Sequence, residues 1–263
     1  MKDANGINQT PIYVINLDRS LQRLESIKAA FKFLKIKFIR IQAVDLNNGL
    51  ADDISGLYDD YQNSKSYFAR LTKAEQGCFH SHRKAWKAFL DSSFDTCIVL
   101  EDDVALADDF SDAISVCCDW LTNERPRILK LYAKRPVKGM SFFLRNGSRR
   151  IVVPKLPPLG AVAQIINRPA ARELLANSDR FFQPVDVYMQ ASWQTGVEVG
   201  VLQPSVVKEV SAMLGGSTIQ KRKRISALQR LKREVLRTIF RFKVYCKAYS
   251  RYRKQLKEGV LTQ

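Results

Sequence analysis

The chain has 263 residues, of which 46% are hydrophobic and 10% aromatic, and its formal net charge is +17. This composition excludes a disordered chain, and the length suits one large α/β domain with an appendage or two small domains. The charge is unevenly distributed, because residues 221–263 hold fifteen Lys and Arg against two acids, a net of +13. We therefore expect a nearly neutral body over residues 1–220 and a basic tail over residues 221–263.

The ends and the cysteines of the chain predict a location. Residues 1–11 are polar and lack the apolar core of a signal peptide, and no apolar run approaches the roughly 20 residues that cross a bilayer. The five cysteines form no CxxC pair, which favours free thiols in a reducing compartment. We expect a cytoplasmic protein that meets a membrane only from its surface.

The first half of the chain alternates β-rich runs with helical patterns. Residues 11–17 and 36–44 predict strands, and the apolar spacing over residues 19–34 predicts a helix between them. Strand, helix and strand in this order indicate a βαβ unit with parallel pairing. Polar residues 45–69 predict loops or short helices. Residues 72–90 predict a helix that begins with a capping box of Thr72 and Glu75.

The second half continues the alternation. A hairpin is predicted around Asn146-Gly147, between two β-rich runs. The whole pattern predicts an α/β fold with a mostly parallel central sheet and ligands at the carboxyl ends of its strands. The other predicted elements are strands at 94–100, 127–133, 159–166 and 197–204, and helices at 108–121, 169–176 and 184–194.

An acidic triplet, Glu101, Asp102 and Asp103, ends the apolar run of residues 98–100. Adjacent carboxylates repel each other and cost stability unless a positive group offsets them. Asp108 and Asp109 are the candidates to cap the following helix, so the triplet lies one loop too early for that role. Carboxylates with few histidines nearby favour Mg²⁺ or Mn²⁺ over zinc. The triplet alone is compatible with a nucleotide-sugar transferase, a metal phosphatase or a nuclease.

The segments around the triplet and elsewhere in the chain distinguish these classes. The segments VINLDRSLQRLESI, LTKAEQGCFHSHRKAW and IVLEDDVAL, followed by LGAVAQIINRPAARELL and then Pro-Val-Asp, occur in an order and spacing that resemble glycosyltransferase family 25. The resemblance covers roughly residues 11–219. It implies a GT-A-like fold and an inverting transfer of galactose or glucose from a UDP-sugar. The leaving diphosphate gains charge, so we expect Mn²⁺ or Mg²⁺ to hold it. The implied acceptor is a lipid-linked lipooligosaccharide or lipopolysaccharide core. Gln164 departs from the family pattern, which has an aromatic residue there.

The resemblance and the chemistry of the carboxylates assign metal and catalytic roles. Asp103 is expected to ligate the metal ion, and Asp102 to assist it. Glu101 is expected to accept hydrogen bonds from the ribose or sugar of the donor, with a backbone cap as the alternative. Inversion requires a base within hydrogen-bond reach of the acceptor hydroxyl, and Asp186 is the candidate for that base or for acceptor binding. Capping of a helix after Pro184 is its alternative role.

Further residues are assigned to the donor. Asn16, Arg19 and Arg23 follow the first strand, and the two arginines share a helical face near a positive N-terminus, which suits a diphosphate or a nucleotide. An exposed charged face is the alternative. In the second motif, Glu75, Gly77 and His82 are assigned to donor binding, although a histidine is more often a structural hydrogen-bonding residue.

The tail forms a separate pattern. Between residues 225 and 256, apolar residues recur at steps averaging about 3.4, with most cations between them. A basic amphipathic helix with several aromatic residues predicts docking on the anionic inner face of a bacterial inner membrane. Packing on the body, or on a second copy as a homodimer, is the alternative. Nucleic-acid binding ranks third, because no motif accompanies the charge. A second hypothesis for the protein is therefore a non-catalytic α/β protein that docks on membrane or nucleic acid through its tail.

Overall fold

The computed structural model describes residues 10–47, 57–121, 124–144, 149–213 and 226–257. The predicted domain boundary at residue 220 lies outside these ranges. The elements occur in the order β1 (Ile12–Asn16), α1 (Leu21–Phe33), β2 (Ile39–Gln42), α2 (Asp60–Ser66), α3 (Lys73–Leu90), β3 (Thr96–Glu101), β4 (Val104–Leu106), α4 (Phe110–Leu121), β5 (Arg127–Lys130), β6 (Gly139–Phe143), β7 (Arg150–Pro154), β8 (Ala163–Asn167), α5 (Arg168–Ala176), α6 (Val185–Gln190), α7 (Ser192–Thr195), β9 (Glu198–Gln203), β10 (Val207–Glu209) and α8 (Ala227–Lys257).

One large sheet organises the molecule, with the strand order β2-β1-β3-β8-β5-β9-β7-β6. β1 lies parallel to β2 and β3, and β5 lies parallel to β9. β8 is antiparallel to both of its neighbours, and β7 is antiparallel to β6 and β9. The α/β class is confirmed, but the prediction of a mostly parallel sheet is wrong. β8 runs antiparallel between β3 and β5, and the β6–β7 hairpin adds an antiparallel pair at the edge of the sheet.

Helices cover both faces of the sheet, which explains why β1 and β8 are buried along their whole length and β3 at every residue but its last. α1 and α4 pack on one face, and α3, α5 and α6 pack on the other. The largest buried side chains of the helices are Phe31, Phe110 and Ile114 on the first face and Phe79, Trp86 and Phe89 on the second.

Most local predictions are confirmed. The βαβ unit pairs in parallel, and Thr72 and Glu75 form both hydrogen bonds of the capping box. β6 and β7 form the predicted hairpin, whose turn at residues 145–148 lies outside the described ranges. The five cysteines are free thiols. Two strands, β4 and β10, were not predicted. β4 follows the acidic triplet directly and pairs antiparallel with β10.

The tail folds as α8 and packs along the body. Val244, Ala248 and Tyr252 are buried, and Arg251 donates a hydrogen bond of 2.9 Å to the carbonyl of Gly196. The helix therefore adopts the alternative arrangement, packing on the body, along one of its faces. Within the described ranges, no helix has the length and apolar character that a bilayer span needs.

Candidate active site

A cleft of about 670 Å³ lies at the carboxyl ends of β1, β2 and β3, where the fold predicts ligands. Its volume is within the range of sites for small molecules and cofactors. Charged groups of both signs line it, and the carboxylates outnumber the guanidinium groups. The acids are Asp45, Glu75, Glu101, Asp102, Asp103, Asp186 and Glu209, and the bases are Arg19, Arg23, Arg237 and Arg241.

Arg23 is the positive group that offsets the acidic triplet. It reaches from α1 and is almost fully buried, with Nη1 at 3.0 Å from Asp102 Oδ1 and 3.2 Å from Asp103 Oδ2. Asn16, at the end of β1, donates from Nδ2 to Asp102 Oδ2 over 2.6 Å. Both oxygens of Asp102 are thereby engaged by the protein. Arg23 therefore has a structural role as the counter-ion of the two aspartates. Its predicted contact with the donor stays a prediction.

Asp103 retains one oxygen for a ligand. Its Oδ1 is buried and has no hydrogen-bond partner among the described residues. Burial and then the charge of Glu101 raise the pKa of Asp103 to about 7, while Arg23 acts in the opposite direction. A buried, unpartnered carboxylate oxygen among other acidic groups fits Mn²⁺ or Mg²⁺, which prefer hard oxygen ligands. Asp103 would hold such an ion, and Asp102 would be positioned beside it by Asn16 and Arg23.

Glu101, at the end of β3, faces the cleft, and a buried side chain behind the cleft contacts its carboxylate. His82 is completely buried on α3, with Nε2 at 3.4 Å from Glu101 Oε1 and Nδ1 at 3.4 Å from the side-chain nitrogen of Gln164. His82 does not line the cleft, so its predicted contact with the donor stays a prediction. Gln164 occupies the position at which the sequence departs from the family pattern, and it completes this chain of polar contacts.

Cys78, His82 and Glu101 bring a sulfur, a nitrogen and an oxygen atom within 4.8 Å of one another. Burial, followed by the charges of nearby carboxylates, raises the pKa of the Cys78 thiol well above its ordinary value. Cys78 Sγ lies 3.9 Å from Glu101 Oε1, and His82 Nε2 lies 3.4 Å from the same oxygen. We interpret the group as a hydrogen-bonded support for Glu101.

The start of α3 fixes the loop that follows β2. A Cβ atom on Gly77 would lie 2.4 Å from the carbonyl oxygen of Val44, so only glycine permits this approach. Ser81 accepts a hydrogen bond of 2.8 Å from the Val44 amide and donates one to the Gly77 carbonyl. Gly77 therefore packs behind the cleft and does not line it, and its predicted contact with the donor stays a prediction.

Glu75 and Arg19 occupy the wall and the mouth of the cleft. Glu75 lines the cleft while its Oε2 accepts a hydrogen bond of 2.7 Å from the amide of Thr72. Arg19, half-exposed, forms an ion pair with Asp45, a residue that the sequence analysis missed. Asp45 closely follows β2 as Asp103 follows β3, and that position was the available signal.

Asp186 lies in the first turn of α6 and faces the cleft. Its Oδ2 accepts a hydrogen bond of 3.1 Å from the Gly160 amide, and its Oδ1 accepts one of 2.9 Å from the Val187 amide. Gly160 has a φ of 97°, and its carbonyl accepts a hydrogen bond of 2.8 Å from Lys130 Nζ. The predicted capping role and a role in the cleft are thus compatible. Lys130, also missed, is buried and anchors the loop that contacts Asp186.

The fold gathers seven of the ten predicted site residues around one cleft. Asn16, Gly77 and His82 lie behind it. The missed contributors from α8 include Phe240 and Val244, which fall between the members of the apolar stripe predicted in the tail. Phe240 also packs edge-on against Tyr67, with ring centroids 5.1 Å apart. The seven predicted residues that line the cleft are Arg19, Arg23, Glu75, Glu101, Asp102, Asp103 and Asp186.

Fold and site together define an α/β protein with an acid-lined cleft at the strand ends. Residues 9–189 match the model of glycosyltransferase family 25, described as an LPS biosynthesis protein family. The match covers more than half of the chain, and the protein belongs to glycosyltransferase family 25. The resemblance inferred from its motifs is thereby confirmed.

Animal proteins are also similar to this chain. The probable inactive glycosyltransferase 25 family member 3 of Bos taurus is 27% identical over 195 residues, which are 68% of this chain and 31% of that protein. Its Rattus norvegicus counterpart is also 27% identical, over 32% of its length. Procollagen galactosyltransferase 2 of Homo sapiens is 28% identical over 125 residues, which are 44% of this chain and 19% of that protein. The chain thus spans about a third or less of these relatives.

Proposed function

We propose that the protein is an inverting hexosyltransferase with a GT-A-like fold, which moves galactose or glucose from a UDP-sugar to a saccharide acceptor. The observation that carries the proposal is the Asp102–Asp103 pair at the end of β3, with Asp103 Oδ1 buried and unpartnered in the cleft. Family membership and the similarity to a procollagen galactosyltransferase support a sugar as the transferred group.

The charge of the cleft supports dependence on a metal ion. Seven carboxylates face four guanidinium groups, and a diphosphate in that field would be repelled unless a cation accompanied it. Mn²⁺ or Mg²⁺ held by Asp103 would offset this repulsion, and a bound ion supplies charge that stabilises a departing diphosphate. Arg19 at the mouth of the cleft is the protein group proposed to contact the donor's phosphates.

Asp186 is proposed as the base. Each of its oxygens accepts one backbone N–H, which fixes the carboxylate in place and leaves lone pairs for an acceptor hydroxyl. In the transfer, this hydroxyl would lose its proton to Asp186 as its oxygen attacks the anomeric carbon from the face opposite the leaving UDP. Glu101 is proposed to accept a hydrogen bond from a hydroxyl of the donor. The family description supports a lipooligosaccharide or lipopolysaccharide core as the acceptor.

The test measures UDP release from UDP-galactose and UDP-glucose, with added Mn²⁺ or Mg²⁺ and with EDTA. Asp103→Asn should lower turnover at least about a hundredfold, because it removes charge stabilisation of the leaving group. Asp112→Asn, on the exposed side of α4, is the matched control and should leave turnover unchanged. Turnover that resists both EDTA and Asp103→Asn would contradict the proposed metal site.

A second candidate is a catalytically silent binding protein, because two of the relatives are described as probably inactive. Calorimetric titration with UDP separates the two candidates. A transferase should bind UDP and turn over UDP-sugars, and Asp186→Asn should abolish turnover while retaining UDP binding. UDP binding without turnover of any hexose donor would favour the silent protein.

A further inference from the structure

Helix α8 has two apolar faces, and the body covers one of them. Val244, Ala248 and Tyr252 are buried against the body. Val235 and Phe242 lie nine and two residues before Val244, which at about 100° per residue places them roughly 160–180° away on the helix. Both side chains are more than half exposed. The apolar positions predicted from the sequence between residues 228 and 249 therefore lie on the face that the body does not cover, whereas Tyr252, also predicted, is buried against the body.

We define this exposed face as the outer stripe. It extends from residue 228 to residue 249, about 30 Å along the helix axis. Monomeric proteins rarely leave a continuous apolar surface of this length without a partner. Tyr245 and Tyr249 stack with their ring centroids 6.0 Å apart and form an aromatic end to it. Its apolar members are Leu228, Leu231, Val235, Ile239, Phe242, Tyr245 and Tyr249.

Cations follow one edge of the outer stripe. At about 100° per residue, Lys232, Lys243, Lys247 and Lys254 lie between the stripe and the covered face, and all four are exposed. Residues 226–257 contain eleven Lys and Arg and one acid. An apolar face with aromatic residues beside a dense row of lysines has the chemistry of a helix that lies in the headgroup region of a bilayer.

We propose that the outer stripe docks on an anionic lipid surface, with α8 parallel to the plane of the bilayer. The charge on the helix decides between this surface and a second copy of the chain. Two copies facing each other through the stripe would bring two strongly basic helices together, whereas anionic headgroups attract each lysine. The occupant of the stripe is therefore a lipid surface.

This docking would place the cleft beside the membrane, because α8 also forms a wall of the cleft. Phe240, Arg241 and Val244 line the cleft from the covered side of the same helix. A saccharide acceptor on a lipid anchor would then reach the site without leaving the bilayer, a consequence that rests on the proposed function. The docking itself does not, since it requires no donor, metal ion or turnover.

The test is co-sedimentation of the full chain with phosphatidylcholine vesicles, with and without phosphatidylglycerol. Binding is expected only with phosphatidylglycerol, and it should weaken as salt is added. Changing Lys232, Lys243 and Lys247 to Glu should lower the partition coefficient at least about a hundredfold. The matched control changes Lys32, Lys37 and Lys134 to Glu, which alters the net charge equally on exposed sites of the body, and should retain most of the binding.

Apolar contact is tested separately. Phe242→Gln with Leu231→Gln should weaken vesicle binding about tenfold or more, while Phe143→Gln, an equally exposed phenylalanine on β6, should not. Cys246 is the exposed cysteine of the chain, on the same outer side, and a polarity-sensitive dye on it should shift to the blue with anionic vesicles. Equal binding by wild type and both sets of α8 variants would overturn the proposal. So would self-association through the stripe without vesicle binding.

Discussion

Arg23 offers the sharpest test of how the fold tolerates its acidic cluster. Its guanidinium contacts Asp102 and Asp103 at 3.0 and 3.2 Å in a nearly buried setting. At an effective dielectric constant of about 20, each contact corresponds to roughly 5 kcal/mol of attraction, most of which offsets the cost of burying the charges. Removing one partner leaves the others uncompensated, so Arg23→Met should lower the free energy of unfolding by about 3–5 kcal/mol.

Urea unfolding at about pH 8, where Asp103 with its pKa of about 7 is mostly ionised, measures this loss without divalent ions and by circular dichroism. Lys28→Met is the matched control on the same helix, because Lys28 pairs with Glu25 in the open and should contribute at most about 1 kcal/mol. In a double-mutant cycle, Arg23→Met and Asp103→Asn should show a coupling energy of more than about 2 kcal/mol. The reason is that Asp103→Asn removes a charge that Arg23→Met leaves uncompensated. A loss for Arg23→Met no larger than for Lys28→Met would refute the role of Arg23 as counter-ion.

Three other changes probe helix α3 and the anchor of the Gly160 loop. Gly77→Ala should destabilise the protein by about 1–3 kcal/mol in thermal unfolding, although alanine favours helices, because its Cβ would collide with the Val44 carbonyl. Burial lowers the pKa of His80 to about 4, so stability should fall as the pH drops below 6.5, by about 2 kcal/mol near pH 5, and His80→Phe should flatten this dependence in urea titrations. Lys130→Met should reduce turnover without weakening UDP binding, because it frees the Gly160 loop.

The local structure was predictable because its causes are local. The capping box of Thr72 and Glu75 and the βαβ unit depend on spacing within one segment, and both appear as predicted. The direction of β8 was not predictable in this way, because an apolar run has the same pattern in either direction. Its position between β3 and β5 depends on packing across the whole sheet.

In the candidate site, too, the features with local causes were predictable and those that depend on distant residues were not. The strand-end rule located Glu101, Asp102 and Asp103 correctly at the cleft. The spacing of Arg19 and Arg23 indicated a shared helical face, yet the structure separates their roles: Arg19 is at the mouth and Arg23 is buried beneath. The partners of Arg23 lie about eighty residues further along the chain, and no local pattern specifies such contacts.

The tail shows why periodicity alone misleads about what is buried. The regular apolar spacing over residues 225–256 indicated a helix, and α8 confirms it over the described residues. The spacing did not indicate which of these residues the body would cover. The body covers Val244 and Ala248, which lie outside that spacing, together with Tyr252, which belongs to it. Phe240, beside this covered face, packs against Tyr67 and Phe68.

The position of Arg23 leads to a last prediction about the metal ion. A cation already lies between Asp102 and Asp103, so these residues should attract Mn²⁺ only weakly until a diphosphate adds negative charge. Calorimetry should therefore show that UDP tightens Mn²⁺ binding at least about tenfold, with an equal effect of Mn²⁺ on UDP. Arg23→Met, where it remains folded, should bind Mn²⁺ more tightly without UDP. Equal Mn²⁺ affinity of the wild type and Arg23→Met without UDP would show that Arg23 does not weaken the site.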